Sequence, residues 1–307
     1  MLIPGGLFNT EDIPLLFTLE TMKEYVSEAS PFLKWAGGKS QFLAVLGSHF
    51  PSNFDIYFEP FLGGGAVFFH LFNSGRLGRA VLSDSNRDLI NCYMVVRDAP
   101  DKLLTRLREL QKHAKSQHYY YVARKRFNEI NLRTAEDVRI EKASLLLYLN
   151  KTCYNGLYRV NRKGEFNVPW GDYKNPHIFN ERNLKEVSMI LNRRGIEIRC
   201  QDYTKVLDES NENDFIYFDP PYQPVSETAN FTSYTPDSFA ERDQERLAEV
   251  FHALASKGCF VMLSNSPNVR HLYEEHGHHI ETVRASRAIS SVGNKRGPIE
   301  ELLIMNY

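Results

Sequence analysis

Cysteine is scarce in this 307-residue chain, and the four that occur stand far apart. Cys92, Cys153, Cys200 and Cys259 share no paired spacing, which argues against a disulfide framework or a zinc site and fits reduced thiols in a cytoplasmic protein. An excess of either charge is lacking too: 37 Lys and Arg stand against 38 Asp and Glu, a net charge of -1. No global field draws the chain to nucleic acid or membrane, so a polyanion site must be a local basic patch. No run is long and apolar enough to span a bilayer, and Glu11 and Asp12 precede the first basic residue, Lys23, so no secretory signal is expected. Nucleotide fingerprints fail in detail. Gly38-Lys39-Ser40 resembles the end of a P-loop, but Leu33 stands where another glycine is needed, and Phe68 breaks a Gly-x-Gly-x-x-Gly pattern begun at Gly63. His276, His278 and His279 have no acid or cysteine at helical spacing and read as a surface turn, so no metal is expected.

What remains is ordinary globular material, 42% apolar and 24% charged, enough for one large domain or two modest ones. Its most informative stretch is Phe215-Ile216-Tyr217-Phe218-Asp219-Pro220-Pro221-Tyr222. Phe215 to Asp219 read as a buried strand ending on an acid, and the two prolines stop it because neither can donate to a ladder. Ligands of open α/β sheets bind at that end of the strands. Asp-Pro-Pro-Tyr suits methyl transfer to a planar nitrogen. Such an amine is a poor nucleophile, because its lone pair is delocalised. Asp219 and the Pro220 carbonyl could accept its N–H groups and favour a localised pair, while Tyr222 stacks on the ring. A plain strand end with a turn is the alternative.

Around this stretch the chain alternates strands with helices. Residues 1–29 form an extension, with a short helix near Thr21–Ser27. Trp35-Ala36-Gly37-Gly38-Lys39 leads into an amphipathic run, Gln41–Phe50, a loop-to-helix entry suited to an anion. Trp35 could stack on a ligand or pack in the core. Ile56–Glu59 is a strand, and Pro60-Phe61-Leu62-Gly63-Gly64-Gly65 turns it into a helix, a nucleoside-type corner where backbone can approach a ligand. Ala80–Asp84 ends a second strand on an acid that could hold ribose hydroxyls or cap a helix. Residues 86–151 are helical, and Arg124-Lys125-Arg126 read as a solvated face. Tyr154–Gly171 reads as a hairpin turning at Arg162–Glu165, with arginine, lysine, asparagine and aromatics interleaved as nucleic acid would require. A solvated hairpin fits that segment equally. After a helix over 178–194, Ile196–Cys200 is a third strand, and Asp202 with Tyr203 beyond it could grip a base. Ser226–Tyr234 is a polar loop placed to close over a substrate. A helix over 238–256 and strands 260–265, 280–285 and 301–307 complete the chain, and Arg284, Arg287, Lys295 and Arg296 could touch phosphates.

In order and spacing, Trp35–Lys39, Glu59-Pro60-Phe61 with its glycines, Ser83-Asp84, Tyr154–Gly171 and Asp219–Tyr222 resemble the Dam-type DNA adenine-N6 methyltransferases that act on GATC. The resemblance implies an α/β fold: a Rossmann-like S-adenosylmethionine-dependent methyltransferase sheet (30–100 and 195–307) with an inserted helical and β-hairpin DNA-recognition domain (101–194). It implies that Trp35, Lys39, Glu59, Phe61, Gly63, Gly65, Asp84, Asp202, Tyr203 and Asp219 bind the cofactor. Asp219, Pro220, Pro221 and Tyr222 would hold a flipped adenine. Lys34 would read the first guanine, Tyr154 would wedge into the stack, and Asn155 would sit by the orphaned thymine. Leu157 and Pro169 would meet thymine methyls, Arg159 would fork onto the other guanine, and Tyr173 and Lys174 would also touch DNA. Asp172 departs from the pattern, standing where relatives carry a basic phosphate contact. The expected enzyme is a monomer acting on double-stranded DNA; an amino-methyltransferase acting on RNA or another planar nitrogen substrate is the alternative.

Overall fold

The computed structural model describes residues 29–132, 135–221, 239–285 and 299–307. The helix expected near Thr21–Ser27, Tyr222, the loop Ser226–Tyr234, and Arg287, Lys295 and Arg296 lie outside the described residues. Seven strands, β1 (Tyr57–Glu59), β2 (Ala80–Asp84), β3 (Ile196–Cys200), β4 (Phe215–Phe218), β5 (Phe260–Asn265), β6 (His279–Ala285) and β7 (Ile299–Met305), form one sheet in the order β3-β2-β1-β4-β5-β7-β6. The first five are parallel, and β7 runs antiparallel between β5 and β6. This is a Rossmann-like α/β sheet whose strand order reverses between β1 and β4, so a crevice opens beyond their carboxyl ends.

Period-two alternation divides the sheet's side chains between two cores. Tyr57, Leu82, Phe215, Tyr217 and Met262 face one layer; Phe58, Val81, Ile216, Phe218 and Leu263 face the other. Both faces are covered, which is why β4 reads as an unbroken apolar run. The second layer is built on α9 (Glu241–Ser256), through Leu247, Val250, Phe251 and Leu254. α8 (Val206–Glu209) and α10 (His271–Glu274) are single turns on that side.

The first layer is larger. It contains α1 (Leu43–His49), α2 (Ala66–Asn73), α3 (Arg87–Asp98), α4 (Pro100–Gln111), α5 (Gln117–Glu129), α6 (Glu136–Thr152) and α7 (Glu181–Leu191). α6 sits at its centre: Leu145, Leu146, Leu147, Tyr148 and Leu149 are all buried, as in a helix enclosed on every side. α7 begins later than the apolar pattern suggests, because the Asn180 side chain caps it by accepting from the Asn183 N–H.

The segment expected as a hairpin is looser than a ladder. Tyr154–Gly156 forms a 3-10 turn with Asn155 at φ 55° and Gly156 at φ 65°, and pairing is confined to the bridges Cys153–Trp170 and Val160–Phe166. Asn128 of α5 takes over part of the ladder's work: its amide donates to the Phe166 carbonyl (3.0 Å) and accepts from the Phe166 N–H (2.8 Å). Arg124, expected on a solvated face, donates to the Val168 carbonyl (3.0 Å), as does Tyr120 (2.8 Å).

Asn150, near the end of α6, pins the segment to the N-terminal loop. Its Oδ1 accepts from the Lys34 N–H (2.8 Å), and its Nδ2 donates to the Lys34 (2.7 Å) and Gly156 (3.1 Å) carbonyls. Asn150→Ala removes a buried side chain and strands those backbone groups. Chemical denaturation should register a loss of about 2–4 kcal/mol, since each unsatisfied buried group costs about 1–3 kcal/mol; a loss under about 0.5 kcal/mol, the range of ordinary surface substitutions, would show the clamp to be incidental.

Candidate active site

The acids of three strand ends meet at the switch point. β1 and β4 pair directly, Phe58 opposite Ile216, so Glu59 and Asp219 lie at neighbouring tips, and Asp84 ends β2 on the other side of β1. Beyond β1, Phe61–Gly65 turns into α2 with Gly63 at φ 48° and Gly65 at φ 69°. Side chains are excluded here twice over. A Cβ on Gly63 would lie 2.8 Å from the Trp35 ring, and one on Gly65 would lie 2.9 Å from the Tyr93 hydroxyl.

Asp84 locks this turn. Its Oδ2 accepts from the Gly63 N–H (3.1 Å) and its Oδ1 from the Asn86 N–H (2.9 Å). The helix cap considered for Asp84 belongs to Asn86, which accepts from the Asp88 and Leu89 N–H groups at the start of α3. Desolvation raises the Asp84 pKa to about 6 against the pull of those N–H donors. An ionised carboxylate offers about four lone-pair directions, so two backbone donors leave capacity for a sugar hydroxyl.

Glu59 is buried beneath the rim. It accepts from the Tyr57 hydroxyl (2.9 Å) and from the Phe68 N–H in the first turn of α2 (3.1 Å). Burial, outweighing those bonds, pushes its pKa up to about 8, with the charge of Asp219 adding to the rise. Glu59 is thus a neutral acid near pH 7 that anchors the turn from below, with no surface for a ligand.

Asp219 follows the last residue of β4 and keeps a fifth of its side chain exposed. Lys39, almost fully buried, places Nζ 2.7 Å from Asp219 Oδ1 and 3.8 Å from Glu301 Oε2, and donates to the Gly37 carbonyl (2.8 Å). Glu301 sits at the start of β7, which reaches the same rim because β7 runs antiparallel. Sequence reasoning missed Glu301: a lone acid in a C-terminal strand carries no motif. Pro220 is buried and Pro221 half-buried beyond Asp219.

At the β3 end, Asp202 is exposed, caps the turn Tyr203–Lys205 by accepting from the Thr204 N–H, and lies 3.6 Å from Arg246. Tyr203, expected to offer its face to a base, is buried and stacks on Phe61 at 5.1 Å between ring centres. Phe61 is the less buried ring of that pair and the one on the glycine turn.

On the hairpin segment, Tyr154 is exposed (42%), as are Pro169, Asp172 and Lys174; Asn155, Leu157, Arg159 and Tyr173 are half-buried. Arg159 is oriented by Asn167, donating through Nε to Oδ1 (2.7 Å) and through Nη2 to the Asn167 carbonyl (3.5 Å). Lys34 lies 4.9 Å above the Tyr173 ring, and its stem fills the space a Cβ on Gly156 would need. Burial and the charge of Lys34 lower the neighbouring Lys151 to about 8. Arg284 pairs with Glu300 at 3.2 Å.

Among the described residues no group of three or more His, Cys, Asp or Glu could hold a metal ion, and no helix is long and apolar enough to cross a membrane. His276 and His278 stack on His252 of α9, at 3.8 and 5.1 Å between ring centres.

Residues 35–289 match the sequence model of the D12 class N6 adenine-specific DNA methyltransferases. The chain belongs to this family. A type II methyltransferase of Methanocaldococcus jannaschii, M.MjaIII, is 45% identical over 91% of this chain and all of that one. M1.LlaDCHI, a type II methyltransferase of Lactococcus lactis, is 42% identical over 90% of this chain and 95% of its own. The DNA adenine methylase of Escherichia coli K12 is 37% identical over 89% and 94%. The cofactor of such a methyltransferase is S-adenosylmethionine, and the site of this D12 family member fits it. The left-handed glycine turn brings backbone to the mouth of the crevice, Asp84 can take ribose hydroxyls, and an acid-rich rim suits a sulfonium cation.

The raised pKa of Glu59 has a defined consequence for stability. A carboxyl that holds its proton in the folded state up to about 8, against an ordinary 4.5, stabilises the fold most below pH 4.5. That contribution is lost as pH rises through 8. Glu59→Gln mimics the protonated form, so unfolding measured from pH 5 to 9 should show the variant gaining on the wild type as pH rises. A constant difference across that range would assign the slope to another group.

Proposed function

We propose that the chain transfers a methyl group from S-adenosylmethionine to N6 of adenine in double-stranded GATC, with the target nucleotide turned out of the duplex. The carrying observation is Asp219 beside the β1 glycine turn at the sheet's switch point, held by a buried lysine. The bound cofactor supplies an electrophilic methyl on a positively charged sulfur. The protein's part is to prepare the amine. Asp219 and the Pro220 carbonyl each accept one N6 hydrogen, drawing the lone pair out of conjugation and toward the methyl. With the cofactor bound, its methyl would pass from sulfur to the N6 lone pair, and Asp219 would take the surplus N6 proton along their hydrogen bond. Lys39 fixes the carboxylate's direction, and the stack expected of Tyr222 offsets part of the few kcal/mol that extrusion costs.

Residues 101–194 serve recognition and the sheet serves chemistry. Tyr154, exposed at the tip of the 3-10 turn, fills the gap the adenine leaves. Lys34 and Arg159 read the two guanines, and Asn155, Leu157 and Pro169 meet the thymines. Relatives named DNA adenine methylase, at 37–38% identity, support adenine as the base modified, and the GATC site rests on the resemblance of the motifs. Asp172 is exposed between Gly171 and Lys174, where it weakens the local phosphate contact without touching the chemistry.

Plasmid from cells expressing the chain should resist a nuclease blocked by GATC methylation, and long-read sequencing should place N6-methyladenine in that context; methylation at a different sequence would refute the assigned site. Asp219→Ala should cut turnover by at least about 10²–10³-fold, the usual cost of a lost transition-state hydrogen-bond partner, with duplex affinity nearly unchanged. Near-normal turnover would remove Asp219 from the reaction. Arg159→Ala should relax the guanine preference by about 1–3 kcal/mol, read from methylation rates on single-substituted sites. An unaltered profile would take Arg159 out of the readout.

A further inference from the structure

Tyr158 belongs to none of the groups assigned so far, yet it touches both halves of the protein. It lies in the recognition segment between Leu157 and Arg159 and is 5% exposed. Its ring stacks on Trp35 at 5.2 Å between centres and 24° between planes, and Trp35 packs in turn against Gly63 of the glycine turn. Its hydroxyl donates to Asp88 Oδ2 (3.2 Å) in the first turn of α3, the helix that Asn86 opens directly after Asp84. One side chain therefore grips the cofactor corner at two points, through the ring over its glycine and through the helix behind its acid. On the other side, chain alternation ties Tyr158 to readout: Tyr158 and Val160 point into the core, so Arg159 between them is turned outward. The adjoining backbone is fixed as well, since Asn150 holds Gly156 and Lys34 together.

We propose that Tyr158 is a positioning residue that couples cofactor binding to DNA recognition. The inference rests on the functional reading above. A nucleoside seated on the glycine turn orders Trp35 and the start of α3. Tyr158 passes that order to the segment carrying Arg159, so DNA pays less to immobilise it, and the reverse holds with equal strength. No change of backbone path is required.

Titration of the full chain with S-adenosylhomocysteine, with and without a GATC duplex, and with the duplex, with and without S-adenosylhomocysteine, tests this. In the wild type each ligand should tighten the other by the same factor, about 5-fold or more. Tyr158→Leu removes the stack and the hydrogen bond and should bring that factor to within about 2-fold of unity, while each ligand alone keeps most of its affinity. Tyr158→Phe keeps the ring and should give an intermediate factor; if the leucine variant does not fold, this variant decides, and a wild-type factor in it overturns the proposal. A folded Tyr158→Leu with the wild-type factor, or wild-type protein whose ligands bind independently, overturns it equally. A role in packing alone would lower both single affinities and leave the factor untouched. Wild-type protein that binds neither ligand would refute the functional reading itself, a result distinct from loss of coupling.

Discussion

A crowd of carboxyl groups at one edge of the sheet is the constraint around which this molecule is arranged. The reversal of strand order between β1 and β4 brings Glu59, Asp84 and Asp219 to adjacent tips, and the antiparallel β7 adds Glu301. Uncompensated charges at such spacing in a partly dry environment would be prohibitive. Each acid has its own remedy. Glu59 keeps its proton, Asp84 takes two backbone N–H groups, and Asp219 with Glu301 draws on the buried ammonium of Lys39. The remedies also sort the groups by role. The neutral acid supports backbone, the N–H-bonded one holds the glycine turn, and the lysine-held one stays partly open at the rim.

The same economy governs the segment from Tyr154 to Gly171. Short bridges give it little sheet character, so its shape comes from side chains that substitute for a ladder: Asn128 on Phe166, Arg124 and Tyr120 on Val168, Asn150 on Gly156. All four come from α5 and α6, which themselves belong to the core that covers one face of the sheet. A change in the helical layer is thus transmitted to Arg159 and Tyr154 through hydrogen bonds whose buried ends have no alternative partner in water. Direct contact between the segment and the sheet's rim passes through Trp35 and Tyr158.

The architecture was legible wherever a short sequence window holds the cause. β4 announces itself as an apolar run ended by two prolines, β2 by an apolar run ended on an acid, and the glycine corner by residues with no side chain to clash. The Dam-type resemblance rested on the same windows, and membership of the D12 family agrees with it. Misplacements occurred where the cause lies elsewhere in the chain. Tyr203 looked like an open aromatic because nothing near it in sequence reveals that Phe61 covers its ring. Arg124 looked solvated because its carbonyl partner at Val168 is distant along the chain.

By itself the sequence determined the alternation of strands and helices, the glycine turn and the Asp219-Pro220-Pro221 strand end, because φ restrictions and apolar periodicity act over a few residues. Tertiary structure alone decided which acids share a rim, which of them keeps its proton, and which side chains join the glycine turn to the segment around Tyr158. Those outcomes depend on desolvation and on strand order, quantities that no local window contains.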